Sequence, residues 1–486
     1  MSVTGLYTPA GIAAAYEDFV RRFPRFAGTT AVDELRATDF ERLDRLGHTY
    51  LDYTGGGLYG VSQLRRHHEL LADRVLGNPH SENPTSRAAG ELAREARAAV
   101  RRFFHAPEDE FEIVFTANAS GALKLVGEAY PFEAGGVLLL SYDNHNSVNG
   151  IREFAACKGA AVTYVPVRES DLRMEEDELR TALRGAGACA AQGPAKLFAF
   201  PAQSNFSGVQ HPLEWVGEAR DLGWDVILDC AAYAPTNVLD AQAVGADFIP
   251  ISFYKLFGYP TGCGCLIARR EALVRLHRPW FAGGTITMAS VQEEDWYRLA
   301  PGATGFEDGT IDYLGLPAVT IGIEYLERVG VPLVHERVRA LTGWLLEEMA
   351  ALRHSDGAPI VRVFGPQGLD RRGATIALHL VAPDGRPYDV YDVEEAAAGE
   401  RISVRSGCFC NPGTGEVAHG ISHEQMERCF KDPSAAVTLM QCQRRIEDET
   451  GRVPNTIRIS LGLASSFRDA YRFMAFAERY RDRLAE

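Results

Sequence analysis

A lysine amine is a nucleophile near neutral pH only where its surroundings strip off the proton, and the sequence places Lys255 in such surroundings. It follows the apolar run Asp247-Phe-Ile-Pro-Ile-Ser-Phe-Tyr254 and precedes the glycine-rich turn Gly258-Tyr-Pro-Thr-Gly262. Desolvation disfavours the ammonium form, and a neutral lysine amine condenses with carbonyls to give a Schiff base. A lysine at a strand end is more commonly a solvated surface residue. Asp229 shifts that balance, because it closes a second strand-like run, Asp225-Val-Ile-Leu-Asp229. Both residues then belong at the carboxyl edge of one sheet, where ligands of α/β proteins bind. A Schiff-base lysine and a carboxylate able to keep a pyridinium nitrogen protonated form the minimum constellation for pyridoxal phosphate.

Other segments carry weaker signals. Phe115-Thr-Ala-Asn-Ala-Ser-Gly-Ala-Leu-Lys124 gives a strand, a small-residue turn and a helix start, the order that offers backbone N–H groups to a phosphate. A plain capped helix explains it equally well. Cys408-Phe-Cys410 lies between a glycine and Asn-Pro-Gly, hence on a loop, where an exposed thiol near Arg405 gains thiolate character. A reactive thiol is the first reading of this pair and inert thiols the second. A metal site with His419 and His423 ranks third, because C-x-C with H-x₃-H is a poor zinc spacing. Gly55-Gly-Gly-Leu-Tyr-Gly60 matches the dinucleotide-binding pattern G-x-G-x-x-G. The run before it, His48-Thr-Tyr-Leu-Asp-Tyr53, is too polar for a buried first strand, so a nicotinamide or flavin oxidoreductase is only a secondary reading. Cys263 and Cys265 alternate along a strand and read as packing. His67 and His68 lie on a polar helix and read as a solvated face. His80 is given no role.

These groups need a scaffold. From about residue 48 to 320, apolar runs of strand length alternate with amphipathic segments: Phe111–Phe115, Gly136–Leu140, Ala161–Val165, Lys196–Phe200, Asp225–Asp229 and Phe248–Ser252. Near-continuous apolarity suits strands buried on both faces, and the alternation predicts an α/β fold with a mostly parallel sheet. Helical spacing predicts Ala119–Ala129 as one intervening helix. Beyond residue 320 the texture changes to two long helices (Leu314–Val329, Pro332–Leu352), a strand Ala374–Leu380 and a helix Tyr388–Ala398. Strands Ile402–Arg405 and Thr456–Ser460 and a last helix from about Ser466 complete a smaller α+β domain. The stretch Asn411–Asn455 resists assignment. The expected division is an N-terminal segment 1–47 packing with the small domain, a large domain 48–320 and a small domain 321–486.

The 486-residue composition, with 46% hydrophobic and 24% charged residues, excludes a disordered chain. A formal charge of −15 argues against a nucleic-acid-coating protein. No run is long enough for a membrane span and no secretory signal is visible. The nine scattered cysteines read as reduced thiols, so the expected location is the cytoplasm.

Taken together, the motifs resemble those of fold-type I, class V aminotransferase-like enzymes, the group that contains cysteine desulfurases. Within it they are most similar to the sulfur-mobilising N-terminal halves of molybdenum cofactor sulfurases. The resemblance rests on Gly77–Ser86, Phe115–Ser120, Asn144–Glu153, Pro201–Gly208, Asp229–Thr236, Ser252–Lys255, Phe306–Thr310, Arg405–Gly413 and Arg458–Gly462, in family order. It implies a mostly parallel seven-stranded sheet and pyridoxal phosphate as cofactor. It also implies roles: Lys255 as the Schiff-base residue, Asp229 on the pyridine nitrogen, His145 stacked over the ring and moving protons, and Ala119, Ser120, Ser252 and Tyr254 on the phosphate. Gly309 and Thr310 would reach the phosphate of a neighbouring subunit, hence a homodimer. Asn205, Arg405 and Arg458 would face the amino-acid substrate, and Cys410 would attack its sulfur.

Two departures bear on function. Molybdenum cofactor sulfurases usually carry a further C-terminal domain presenting the cofactor, whereas this sequence ends at Glu486, and the loop Asn411-Pro-Gly-Thr-Gly-Glu416 lacks the family's additional cysteine. The expected acceptor of sulfur is therefore a separate protein or metabolite, with no nucleic acid and no membrane involved. The expected activity is desulfuration of L-cysteine or a related amino acid through a Cys410 persulfide, releasing alanine. A C–S lyase, an epimerase or an aminotransferase using the same cofactor in specialised metabolism is the alternative.

Overall fold

The computed structural model describes residues 7–185, 195–431, 439–450 and 453–484. Its centre is a seven-stranded sheet. From edge to edge it runs Phe111–Thr116, Gly264–Arg269, Phe248–Ser252, Asp225–Asp229, Lys196–Pro201, Val137–Ser141 and Ala161–Val165. Gly264–Arg269 is antiparallel to both its neighbours, and the remaining pairs are parallel. The apolar runs are continuous because both faces are covered. Leu197 and Ala199 enter one core, with Ala122, Leu123 and Val126 of the helix Ala119–Ala129. Phe198 and Phe200 enter the core on the opposite face. This is the period-two division expected of a doubly covered sheet. Cys263 and Cys265 are buried in it, as packing residues should be.

A second, four-stranded antiparallel sheet has the order Val361–Phe364, Thr375–Leu380, Thr456–Ser460, Arg405–Gly407. In its register Arg405 lies opposite Arg458. Two helices, Leu316–Val329 and Val331–Ala351, lead from one sheet to the other, separated by Gly330 at φ 88°. The N-terminal helix Ile12–Arg22 packs on the last helix, Phe467–Glu478, where Phe19 and Phe467 stack at 4.8 Å. Nearby, Arg36 Nη1 donates to the buried Asp469 carboxylate at 2.6 Å. Thr49–Tyr50 pairs in parallel with Ile402–Ser403, and Asp52 bridges to Ser460.

Several expectations are revised. The strand expected at Ile402–Arg405 is two short pieces, Ile402–Ser403 and Arg405–Gly407, in different sheets. The unassigned stretch holds helices Pro412–His419, His423–Phe430 and Leu439–Thr450. His67 is buried rather than solvated, held between the Tyr259 hydroxyl and the Leu314 carbonyl, each at 2.8 Å. The cysteines are not all reduced: Cys429 and Cys442 form a disulfide, while Cys157, Cys230, Cys263, Cys265, Cys408 and Cys410 are free. Among the described residues no helix is long and apolar enough to cross a membrane.

Candidate active site

The carboxyl ends of Lys196–Pro201, Asp225–Asp229 and Phe248–Ser252 meet the start of the helix Ala119–Ala129 around a cavity of about 160 Å³. Lys255, Asp229, His145, Asn205, Ser252 and Tyr254 all line it. Lys255 sits on the short helix Phe253–Phe257, which Gly258 ends at φ 80°. Burial holds its amine below the ordinary lysine range; Arg458 and Arg405 add to this, and Asp229 opposes it. The sequence argument for a deprotonated amine therefore has a physical basis in the structure.

Asp229 is 9% exposed, and its Oδ1 accepts from the Ala231 amide at 2.9 Å. His145 precedes the turn Asn146–Asn149, and its Nδ1 accepts from the Ser147 amide at 3.1 Å. That bond assigns the neutral ring's proton to Nε2. Burial lowers the His145 pKa, Lys255 and Arg458 lower it further, and Asp229 opposes them. The surroundings thus disfavour the protonated imidazole.

At the other end of the cavity Asn118 caps the helix, accepting from the Gly121 amide at 2.9 Å. The Ala119 amide donates to Ser252 Oγ at 3.0 Å, and the Ser120 and Ser147 hydroxyls meet at 2.6 Å. A helix start and three hydroxyls thus converge at this end of the cavity, the kind of place where anions bind. Gly309 and Thr310 are not part of this cavity. Thr310 lines a separate one of about 390 Å³ with Lys124 and Asp312.

On the second sheet, Arg458 is 3% exposed and donates through Nη2 to Asp52 Oδ1 (2.9 Å) and through Nη1 to the Asn205 carbonyl (2.9 Å). Its Nε is buried with no acceptor. Arg405 grips the same Asp52 carboxylate, Nη2 to Oδ2 at 2.6 Å and Nε to both oxygens. Asn205 spends its amide on the cysteine loop: Nδ2 donates to the Phe409 carbonyl at 2.7 Å. The Asn146 amide, next to His145, donates to the Cys410 carbonyl at 2.7 Å. Cys410 itself is exposed, and both it and Phe409 lie at φ 56°.

The glycine run Gly55–Gly60 does not meet a phosphate. The Gly57 amide donates to the Tyr254 carbonyl at 3.0 Å, and a Cβ on Gly57 would stand 2.9 Å from the Lys255 carbonyl oxygen. These glycines allow close passage of two backbones, which removes the ground for a dinucleotide site. His419 packs on His379 with ring centroids 5.3 Å apart, and its Nε2 meets Thr456 Oγ1 at 3.1 Å. Among the described residues no group of three His, Cys, Asp or Glu could hold a metal.

Two residues of the site were not foreseen. Asp52 stood in a run noted only as polar, and Asp143 immediately precedes the motif Asn144–Glu153 that was valued for His145. An acidic residue inside an otherwise strand-like run, Thr49-Tyr-Leu-Asp52, is the one signal the sequence offered.

The donor set fits pyridoxal phosphate group by group. A buried amine suits the aldehyde, a carboxylate suits the pyridine nitrogen, an imidazole suits the ring, and a capped helix start with three hydroxyls suits the phosphate. This fold and this set define a fold-type I, pyridoxal-phosphate-dependent class of enzyme. The chain matches the family described as Aminotransferase class-V over residues 49–473, and it belongs to the class V aminotransferase family. It is 32% identical to the molybdenum cofactor sulfurase of Solanum lycopersicum, covering 96% of this chain and 60% of that protein. It is 33% identical to that of Bos taurus, covering 92% and 52%. The chain thus spans less than two thirds of the length of these relatives. Among solved structures it is similar to a cysteine desulfurase from Thermococcus onnurineus (TM-score 0.74, 23% identity, 92% of this chain and 97% of that one). A cysteine desulfurase from Escherichia coli gives a TM-score of 0.71 at 18% identity, covering 92% and 98%.

Proposed function

We propose that this chain is a cysteine desulfurase that moves the sulfur of L-cysteine, or of a related amino acid, onto Cys410 and releases alanine. The observation that carries the proposal is the hydrogen bond from the Asn146 amide to the Cys410 carbonyl. It ties the main chain of a residue with an exposed thiol to the neighbour of His145, and His145 lines the cavity that contains Lys255.

Pyridoxal phosphate, when bound, supplies the electron sink for charge developing at the substrate Cα. The protein's residues do the rest. Lys255, whose ammonium form burial disfavours, would offer its amine to the aldehyde and afterwards carry a proton to and from Cα. Asp229 holds a proton on the ring nitrogen. His145, neutral with its proton on Nε2, passes protons on the cavity side. Arg458 takes the substrate carboxylate, with its buried Nε the donor to be satisfied, and Asn205 and Arg405 border the same place. The Cys410 sulfur attacks the substrate Sγ. The S–S bond forms as the Cβ–S bond breaks, the bonding pair stays with carbon, and protonation of Cβ gives alanine. Cys410 is left as a persulfide, from which an acceptor, a protein or a metabolite, takes the sulfur.

The proposal includes a homodimer in which Gly309 and Thr310 complete a neighbour's phosphate site. Two features support it. Neither residue lines its own chain's Lys255 cavity. The hairpin of strands Ile286–Ala289 and Tyr297–Leu299 also exposes Met288 (59%) and Trp296 (54%), an apolar surface of the kind that partners cover. It also takes residues 48–320 as the cofactor-holding domain and 321–486 as a smaller domain against which residues 1–47 pack. The proposed location is the cytoplasm, which the six free thiols among the described residues support.

The test is incubation of purified protein with L-cysteine and a reductant. Alanine and sulfide in equal amounts, lost in Cys410→Ala, are the expected result. Pyruvate with ammonia, unaffected by Cys410→Ala, would replace the proposal with a C–S lyase.

A further inference from the structure

Asp143 lies outside the cavity, is fully buried, and accepts from four side chains. Its Oδ1 takes Ser204 Oγ (2.7 Å), Asn411 Nδ2 (2.7 Å) and Thr414 Oγ1 (2.9 Å), and its Oδ2 faces His211 Nε2 at 2.9 Å. A carboxylate without solvent is tolerated only when its lone pairs are taken up, and here they are. Two of the four donors belong to the segment that immediately follows Cys410. Asn411 is the next residue in the chain, and Thr414 lies one turn along the helix Pro412–His419.

The same Asn411 Nδ2 reaches Asn205 Oδ1 at 3.0 Å, while Asn205 Nδ2 holds the Phe409 carbonyl. The helix also passes so close to the Tyr142–Asp143 turn that a Cβ on Gly413 would stand 2.5 Å from the Tyr142 carbonyl oxygen. Between these anchors Phe409 and Cys410 both adopt the left-handed backbone region, which non-glycine residues occupy only when the surroundings impose it.

We propose that Asp143 is a positioning residue for the Cys410 nucleophile. Its carboxylate fixes Asn411 and Thr414, these hold the Cys408–Cys410 turn in its left-handed form, and that form sets where the Cys410 thiol stands relative to the substrate sulfur. Through Asn411 the same carboxylate sets Asn205, so the seat of the nucleophile and one wall of the substrate site share one anchor. The inference rests on the sulfur-transfer reading of Cys410.

Asp143→Asn turns one acceptor oxygen into a donor facing His211, Asn411, Ser204 or Thr414. The experiment compares wild type, Asp143→Asn and Thr414→Val as purified holoenzymes. Three quantities are followed: the visible absorbance of the bound cofactor, the rate of iodoacetamide alkylation at Cys410 located by peptide mass spectrometry, and kcat and KM for L-cysteine. The expected result for Asp143→Asn is unchanged absorbance, kcat lower by about tenfold or more with KM changed far less, and alkylation of Cys410 altered at least about fivefold. Thr414→Val, which removes one donor and keeps the carboxylate, shows the same changes in smaller degree and decides the matter if Asp143→Asn does not fold. A folded variant whose alkylation rate and kcat both stay within about twofold of wild type overturns the proposal. Failure of the sulfur-transfer reading is seen separately, as turnover that survives Cys410→Ala, while the alkylation rate still reports on the position of the loop.

Discussion

Arg458 and Asp52 form a buried ion pair at 2.9 Å, the arginine 3% and the aspartate 7% exposed. The two come from opposite ends of the sequence, and the pair aligns a guanidinium whose Nε still lacks an acceptor. Breaking a buried pair from one side leaves an uncompensated charge.

Asp52→Ala is therefore expected to lower stability by about 3 kcal/mol, measured by urea denaturation. It should also raise KM for L-cysteine about tenfold with a smaller change in kcat, because Arg458 loses its alignment. Unchanged KM would mean that Arg458 does not read the substrate carboxylate.

Lys255→Ala should abolish the covalent attachment of cofactor, seen as loss of borohydride-fixed label in intact-mass analysis, and reduce turnover about a thousandfold. Asp229→Asn should keep the attachment and lose turnover, since Asp229 is assigned to the ring nitrogen rather than to the amine.

Acid should destabilise the fold through His379. It is 3% exposed, its Nε2 pairs with the Asn455 carbonyl, and burial pushes its pKa down to about 4. The unfolded chain takes up this proton near the ordinary histidine value, whereas the folded protein refuses it until about pH 4. The stabilisation is complete above the unfolded value and shrinks as pH falls towards the folded one. His379 alone should make the protein about 2 kcal/mol less stable at pH 5 than at pH 7. His379→Gln, which keeps an N–H for the carbonyl, should flatten this part of the slope in denaturation curves recorded at both pH values.

Met288→Glu together with Trp296→Glu should convert the proposed dimer to a monomer in sedimentation velocity and reduce cofactor retention, since the hairpin's exposed apolar side chains are the surface a second copy would cover. A wild-type monomer that binds cofactor fully would remove Gly309 and Thr310 from the site.

The large sheet was legible in the sequence because its strands are buried on both faces, and a run such as Lys196–Phe200 admits few other readings. Lys255 and Asp229 were legible for a related reason: each is a charged residue at the end of an apolar run. The parts that escaped depend on contacts between distant segments. Asp143 and Asn411 are 268 positions apart, and nothing local to either announces the other. His67 looked solvated beside Arg65 and Arg66, yet tertiary contacts with Tyr259 and Leu314 bury it. The strand expected through Arg405 was broken because Ile402–Ser403 pairs with Thr49–Tyr50 while Arg405–Gly407 pairs with the strand of Arg458. That division belongs to the tertiary fold, and local propensity carries no trace of it.

The close passage of Gly57 beside the Lys255 carbonyl limits how the amine proposed as catalytic can travel. Main chain is pressed against main chain on that side, so the peptide carrying the lysine works as a fixed pivot. In the proposed reaction, displacement of the nitrogen between a carbonyl-bonding and a proton-carrying position would come from rotation about the side chain's own methylene bonds. The reach of the amine is then an arc of set radius, and a single added methyl group at position 57 would shift the centre of that arc.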